Sequence, residues 1–329
     1  MSLPRPLIAC LGAGRMGRGI AVAFAYAGHA VIMIDVKQRS AEQFARLKDD
    51  ALDEVRKTLA SLARFGLLNE TEAETLMARV SVVPAQDMTK TLAGAGMVFE
   101  GVPEVVELKR EVLTAASKAV GPDVVIASTT STILVDDLSG AIENPRRFLN
   151  VHWLNPAYLI PLVEISPGAA TDPAVVAEVK ALLEGIGKVP VVCAATPGFI
   201  VPRIQALAMN EAARMVEEGV ASAEEIDKAI RYGFGFRYAV LGLLEFIDWG
   251  GGDILYYASR YLEGALDSER YRAPEVISRN MHDGRIGLRT GAGFLDYSGL
   301  DIDAYRERRL AELVSMLRHI GLARPPVLD

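Results

Sequence analysis

Apolar positions along this chain come in short blocks, and the polar stretches between them carry apolar residues at helical spacing. Apolar runs at 7–11, 30–34, 80–83, 97–100, 124–128, 148–151, 162–165 and 189–192 read as buried strands. Helical stretches separate several of them, at 19–27, 108–120 and 174–186. Across 39–79, Phe44, Leu47, Ala51, Val55 and Leu59 keep a helical period. Two helices joined around Gly66-Leu67-Leu68-Asn69 fit that region, with Asn69 as an N-cap before Glu70 and Glu72. Strands alternating with helices predict an α/β fold built on a doubly wound, mostly parallel sheet.

The texture changes at Thr196-Pro197-Gly198. Beyond it, 200–218, 223–232, 253–266, 274–282 and 303–320 read as helices, and strand signals nearly vanish. The expected organisation is therefore a domain over 1–196 and a smaller all-α domain over 197–329.

Composition narrows the class. A chain of 329 residues, half of them apolar, has enough material for two cores. A net charge of −7 with 23% charged residues provides no basic stripe, so no nucleic-acid partner is expected. The longest apolar region, 20–34, is broken by Gly28 and His29, so no membrane span is expected. The Leu7-Ile8-Ala9-Cys10 run resembles a lipid-attachment box, yet the Pro4-Arg5-Pro6 stretch before it is too short for a signal core. Cys10 and Cys193 read as small buried hydrophobes in a reducing compartment, with no metal-ligand spacing. A cytoplasmic location is the expectation.

Chemistry enters at the first strand. It runs into Gly12-Ala13-Gly14-Arg15-Met16-Gly17, an Ala-rich helical stretch follows, and the next apolar run ends in Asp35. This is the dinucleotide-binding fingerprint in context. Gly12 permits the tight turn, Gly14 lets the backbone approach a pyrophosphate, and Gly17 lets the helix pack closely. Gly12, Gly14, Met16 and Gly17 are thus candidate cofactor-binding positions, with the diphosphate on the helix N-terminus. An acid at position 35 accepts hydrogen bonds from the adenosine ribose and repels a 2′-phosphate, so NAD is expected. Lys37 and Arg39, which would argue for NADP, are expected on the solvated start of the next helix.

Of four histidines, His29 reads as a turn residue, and His282 and His319 lie near helix C-termini. His152 ends an apolar strand in His152-Trp153-Leu154-Asn155-Pro156, and Glu164 lies inside another apolar run. A buried carboxylate is costly without a partner. One that holds an imidazole nitrogen fixes the tautomer and makes the other nitrogen a proton acceptor. The alternative is a purely structural buried pair. Ser128-Thr129-Thr130-Ser131-Thr132 follows a third strand, and its hydroxyls either orient a substrate alcohol or cap a helix over 133–138. Glu100, Glu104 and Lys109 place acids and a base after a fourth, to be read against an ordinary solvated loop and first helical turn.

Taken in order, these motifs resemble the L-3-hydroxyacyl-CoA dehydrogenase superfamily. They are the glycine fingerprint, Val102-Pro103-Glu104 with Lys109, Ser128-Thr129-Thr130-Ser131, His152-x-x-Asn155-Pro156 with Glu164, and Pro197-Gly198-Phe199. The resemblance extends from Gly12 to Gly291-Ala292-Gly293-Phe294-Leu295-Asp296-Tyr297. It implies an N-terminal Rossmann-type domain, an all-α substrate domain and a homodimer formed through that domain. It also implies His152 as general base, Glu164 as its orienting partner and Ser131 on the substrate hydroxyl. Asn155 would help hold nicotinamide and substrate, and Glu104 and Lys109 would contact the cofactor.

Three departures bear on the substrate. Pro202 stands where the family has an Asn that helps bind the substrate carbonyl. Asn155-Pro156-Ala157-Tyr158-Leu159-Ile160-Pro161 lacks the Lys-containing run of the acyl-CoA enzymes and is more similar to the gulonate and carnitine dehydrogenase branch. Gly233-Phe234-Gly235-Phe236-Arg237-Tyr238-Ala239 resembles that branch too. Arg237 is a candidate clamp for a free carboxylate, or else a structural partner of Glu245 or Asp248. The expected substrate is a short-chain 3-hydroxyacyl-CoA, with a free small hydroxy acid as the alternative. A non-catalytic, lens-crystallin-like NAD-binding protein is the third possibility; the intact set Ser131, His152, Asn155 and Glu164 argues against it.

Overall fold

A computed structural model describes residues 5–328, and the chain divides into two compact units, Met1–Ala208 and Met209–Asp329. The first unit holds an eight-stranded sheet in the order β3-β2-β1-β4-β5-β6-β7-β8. Its strands are β1 (Ile8–Leu11), β2 (Val31–Ile34), β3 (Val80–Val83), β4 (Met97–Glu100), β5 (Val125–Ser128), β6 (Phe148–Trp153), β7 (Leu162–Pro167) and β8 (Val189–Val192). Pairing is parallel from β3 through β6, β7 runs antiparallel to β6, and β8 is parallel to β7. Helices α1 (Arg15–Tyr26), α2 (Ala41–Arg64), α3 (Glu70–Met77), α4 (Met88–Leu92), α5 (Val106–Ala119), α6 (Val135–Ser139) and α7 (Pro173–Gly185) connect them.

Two apolar clusters account for the unbroken hydrophobic strand runs. One packs Cys10, Met33 and Phe99 with Phe24 and Trp153; the other packs Leu11, Ile34 and Val98 with Leu113. Alternate residues of one strand thus enter different clusters, as a parallel sheet covered on both faces requires. Chain order reverses between β1 and β4, so a crevice opens beyond their carboxyl ends, where ligands of such sheets sit. That geometry places the glycine turn after β1 beside the loop after β4.

The expected α2–α3 pair forms, and Asn69 caps α3 in a reciprocal capping box with Glu72. Two local expectations are corrected. Helix α2 begins only at Ala41, capped by Ser40, so Lys37 and Arg39 precede it. The Ser/Thr cluster does not cap α6, whose N-cap Leu134 has no side-chain bond; Thr130 Oγ1 instead accepts from the Thr132 and Ile133 amides.

Helix α8 (Val201–Glu217) leads from the first unit into the second. The second unit continues with α9 (Ala223–Ala229), a π-helical turn Ile230–Gly235, α10 (Phe236–Tyr238), α11 (Leu243–Gly250), α12 (Gly252–Ala265), α13 (Glu275–His282) and α14 (Ile302–His319). Helix α11 was not among the expected ones. Its small core joins Leu288, Tyr297 and Tyr305 to Trp249. Buried Asp248 ties down the 291–297 segment, accepting from the Phe294 and Leu295 amides at 2.9 and 2.8 Å and from the Tyr297 hydroxyl. No helix among the described residues is long and apolar enough to cross a membrane.

Candidate active site

The glycine turn has the space the fingerprint demands. Gly12 sits at φ +105°, in a region that L side chains avoid. A Cβ on Gly17 would lie 2.2 Å from the Gly12 carbonyl oxygen, so no side chain fits there. A Cβ on Gly14 would meet no protein atom within 4 Å, which leaves the start of α1 open. Asp35, 5% exposed, closes the far end of this crevice, and both line a cavity of about 870 Å³. Arg39 is exposed but precedes the helix, and its Nε donates to Asp35 Oδ2 at 2.7 Å. The pair forms because the acid ends β2 while the chain turns back toward Ser40.

Beyond β4, the expected alternative of a solvated loop is replaced by a buried network. Glu100 is fully buried at the strand end. It accepts from Lys109 Nζ at 2.8 Å, the Val102 amide at 2.8 Å and the Ser128 hydroxyl at 2.5 Å. Lys109, 1% exposed, also donates to the Val102 carbonyl and lies 3.3 Å from Glu104. Glu104 accepts from the Thr130 and Thr132 hydroxyls and from the Ser131 and Thr132 amides. Burial raises the Glu104 pKa, but these bonds and the Lys109 charge outweigh it and hold the carboxyl below its usual range. Two strand-end loops are thereby locked together.

His152 and Glu164 are directly opposed on β6 and β7. Opposed residues of an antiparallel pair project from the same face, which brings a residue pair twelve positions apart within reach. His152 Nδ1 lies 2.8 Å from Glu164 Oε2, and the two are 6% and 1% exposed. The other carboxylate oxygen, Oε1, accepts from the Ile200 and Val201 amides at 3.0 and 2.8 Å. With the carboxylate accepting, Nδ1 carries the ring proton and Nε2 keeps its lone pair. Phe199, buried at φ +44°, packs its ring 5.4 Å from the imidazole. A bulky residue rarely holds that conformation, so the turn after Gly198 is over-determined by its surroundings.

A cavity of about 350 Å³ collects Met16, Glu104, Lys109, Ser131, His152 and Asn155 on its walls. Candidates from four separated stretches of sequence thus meet in one place. Arg237 lies in the second unit. Its Nε donates to the Gly233 carbonyl and its guanidinium stacks over Phe246 at 4.6 Å. Neither expected structural partner takes it: Glu245 pairs with Arg309, and Asp248 holds backbone amides.

Residues 7–196 match the NAD-binding domain of 3-hydroxyacyl-CoA dehydrogenase, and residues 198–297 match its C-terminal domain. The chain belongs to this family. It is 30% identical to the 5-formyl-3-hydroxy-2-methylpyridine 4-carboxylate 5-dehydrogenase of Mesorhizobium japonicum, over 94% of this chain and 97% of that protein. It is 33% identical to the 3-hydroxybutyryl-CoA dehydrogenase of Bradyrhizobium diazoefficiens, over 89% of this chain and 95% of that one. The crystal structure of a 3-hydroxyacyl-CoA dehydrogenase from Archaeoglobus fulgidus superimposes with a TM-score of 0.76 at 33% identity, covering 97% of this chain and all of that one.

The match to an NAD-binding domain and the dehydrogenase relatives make this chain an NAD-dependent oxidoreductase. The open space before Gly14 and the buried acid at the end of β2 fit that cofactor. Several contributors were absent from the sequence-derived candidates. Lys188, 8% exposed, donates to the Ala157 and Ile160 carbonyls at 2.7 and 2.8 Å and so holds the loop after Asn155. Burial lowers its pKa. No local pattern announces that bond, nor the Glu164 contact with the amides of residues 200 and 201, because each joins distant segments.

Proposed function

We propose that the protein interconverts a 3-hydroxyacyl substrate and its 3-oxo form, with a short-chain 3-hydroxyacyl-CoA as the leading class. The observation that carries this reading is the buried Nδ1–Oε2 bond of 2.8 Å on a cavity wall that also presents Ser131 and Asn155. Gly12, Gly14, Met16, Gly17 and Asp35 would hold NAD, with Glu104 and Lys109 shaping the loop that borders it. NAD, when bound, supplies the hydride acceptor in oxidation and the donor in reduction. His152 Nε2 takes the proton of the substrate hydroxyl, and Glu164 stabilises the resulting imidazolium through Nδ1–H. In the reverse direction the same nitrogen returns the proton. Ser131 holds the substrate oxygen in line with it, and Asn155 orients the reacting groups. Residues 1–196 and 197–329 would act as cofactor domain and substrate-and-dimerisation domain. An exposed stripe of Ile254, Tyr257 and Tyr261 on α12 supports a homodimer.

A second reading has its own support. Arg237 has no carboxylate partner among the described residues, and the Mesorhizobium japonicum relative is named for a pyridine carboxylate. Both favour a free carboxylated substrate clamped by Arg237. The deciding experiment sets NADH oxidation with acetoacetyl-CoA beside NAD reduction with free hydroxy acids such as gulonate and carnitine. Turnover confined to the free acids rejects the CoA reading.

A further inference from the structure

The cavity beside His152 has one wall to which the reading above gives no role. It comes from the start of α8, where Pro202 and Gln205 both line it. Residues three apart on a helix are neighbours on one face, so any side-chain donor from this wall comes from these two. Pro202 has neither an N–H nor a polar side chain. Gln205 carries a primary amide with two N–H donors, is exposed, and makes no side-chain hydrogen bond among the described residues.

The other walls have few donors to spare. Lys109 is committed to Glu100 and the Val102 carbonyl, and Glu104 offers only acceptors, already engaged by the Thr130 and Thr132 hydroxyls. Of the other donors on these walls, Arg15 stands at the start of α1 beside the proposed diphosphate position, and Thr129 and Trp153 are buried at strand ends, which leaves Ser131, Asn155 and His152. A 3-oxoacyl group carries two oxygens in a 1,3 relation, and those three residues serve the reacting oxygen at C3 and the nicotinamide. The oxygen at C1 still needs a donor, and it is an acceptor in a thioester and in a carboxylate alike.

The geometry points to Gln205 as that donor. Its side-chain N–H binds the C1 oxygen and makes Gln205 a specificity-determining residue for substrates with a carbonyl or carboxylate two carbons from the reacting centre. The inference rests on the proposed role of the cavity as the reaction site. A neutral amide selects the 1,3-dioxygen pattern without selecting charge, which leaves the choice between thioester and free acid to other residues.

The test measures acetoacetyl-CoA and acetoacetate reduction by NADH in the full-length protein and in Gln205→Ala, Gln205→Glu, Pro202→Asn/Gln205→Ala and His152→Ala. Gln205→Glu is nearly isosteric but replaces the donor by an acceptor, so it separates donation from folding. Loss of about ten- to a hundredfold in kcat/KM is expected in both single Gln205 variants, with NADH affinity and melting temperature unchanged. Partial recovery in the double variant, whose new amide stands one turn earlier on the same face, supports the donor role. Wild-type kcat/KM in Gln205→Ala and Gln205→Glu, with His152→Ala inactive, overturns the inference and leaves the catalytic reading standing. Equal inactivity of the wild type and His152→Ala on both substrates removes both.

Discussion

His152 and Glu164 stand opposite one another on β6 and β7, 2.8 Å apart, and the same carboxylate receives the first amides of the segment that enters α8. One side chain thus orients the imidazole and anchors the chain beyond the sheet. His152→Ala is expected to lower kcat by about 10²–10⁴-fold while NADH binding persists. Glu164→Leu strands three donors, each at about 1–3 kcal/mol if left unpaired, so it should also lower the melting temperature. Fluorescence titration of NADH is the check, and loss of cofactor binding in His152→Ala would make that residue structural.

Gly14 and Gly17 should respond differently to the same methyl group. In Gly17→Ala the new Cβ meets the Gly12 carbonyl at 2.2 Å, and backbone on both sides has little freedom to yield. A stability loss of about 1–3 kcal/mol is expected, visible as a lower melting temperature. Gly14→Ala meets nothing in the protein. Its melting temperature should hold while NADH affinity falls; unaltered affinity would show that the diphosphate lies elsewhere.

In the proposed site Asp35 would read the ribose in competition with Arg39, which already holds one of its oxygens. Asp35→Ala should raise the KM for NAD tenfold or more, about 1.4 kcal/mol per decade. NADP use should suffer far less, because the freed Arg39 can meet a 2′-phosphate. Equal losses for the two cofactors would remove the ribose assignment.

The depressed pKa of Glu104 has a defined pH signature. A carboxyl whose folded pKa lies below its unfolded value contributes stability that is fully present above about pH 4.5 and is lost as pH falls through the lower folded value. Thermal melts between neutral pH and the acid limb should therefore converge for the wild type and Glu104→Gln as pH drops. A gap that stays constant to the acid limb would contradict the assignment.

Arg237→Met is expected to abolish turnover of free hydroxy acids and spare acetoacetyl-CoA if the carboxylate reading holds. Steady-state assays on both substrate types give the answer directly. A uniform loss would assign Arg237 to the architecture of the second unit.

Much of this was legible in the chain. The glycine turn, the acid at position 35 and the strand blocks are local patterns, because turn sterics and two-sided burial act over a few residues. Lys37 and Arg39 misled because charge alone does not show where a helix begins; the Ser40 cap decides that. The Ser/Thr cluster misled for a related reason. Its hydroxyls found Glu104 across the crevice in place of a helix end.

The sequence by itself determined the α/β class, the glycine turn of an NAD-binding domain and the residue types of the buried histidine–carboxylate pair. Tertiary structure alone decided that β7 runs antiparallel to β6, which sets Glu164 against His152. It also decided that Glu100 and Lys109 form one buried network and that Gln205 reaches the cavity. The physical reason is range: propensity and periodicity are fixed by neighbours in the chain, whereas hydrogen-bond partners across a crevice are fixed by packing.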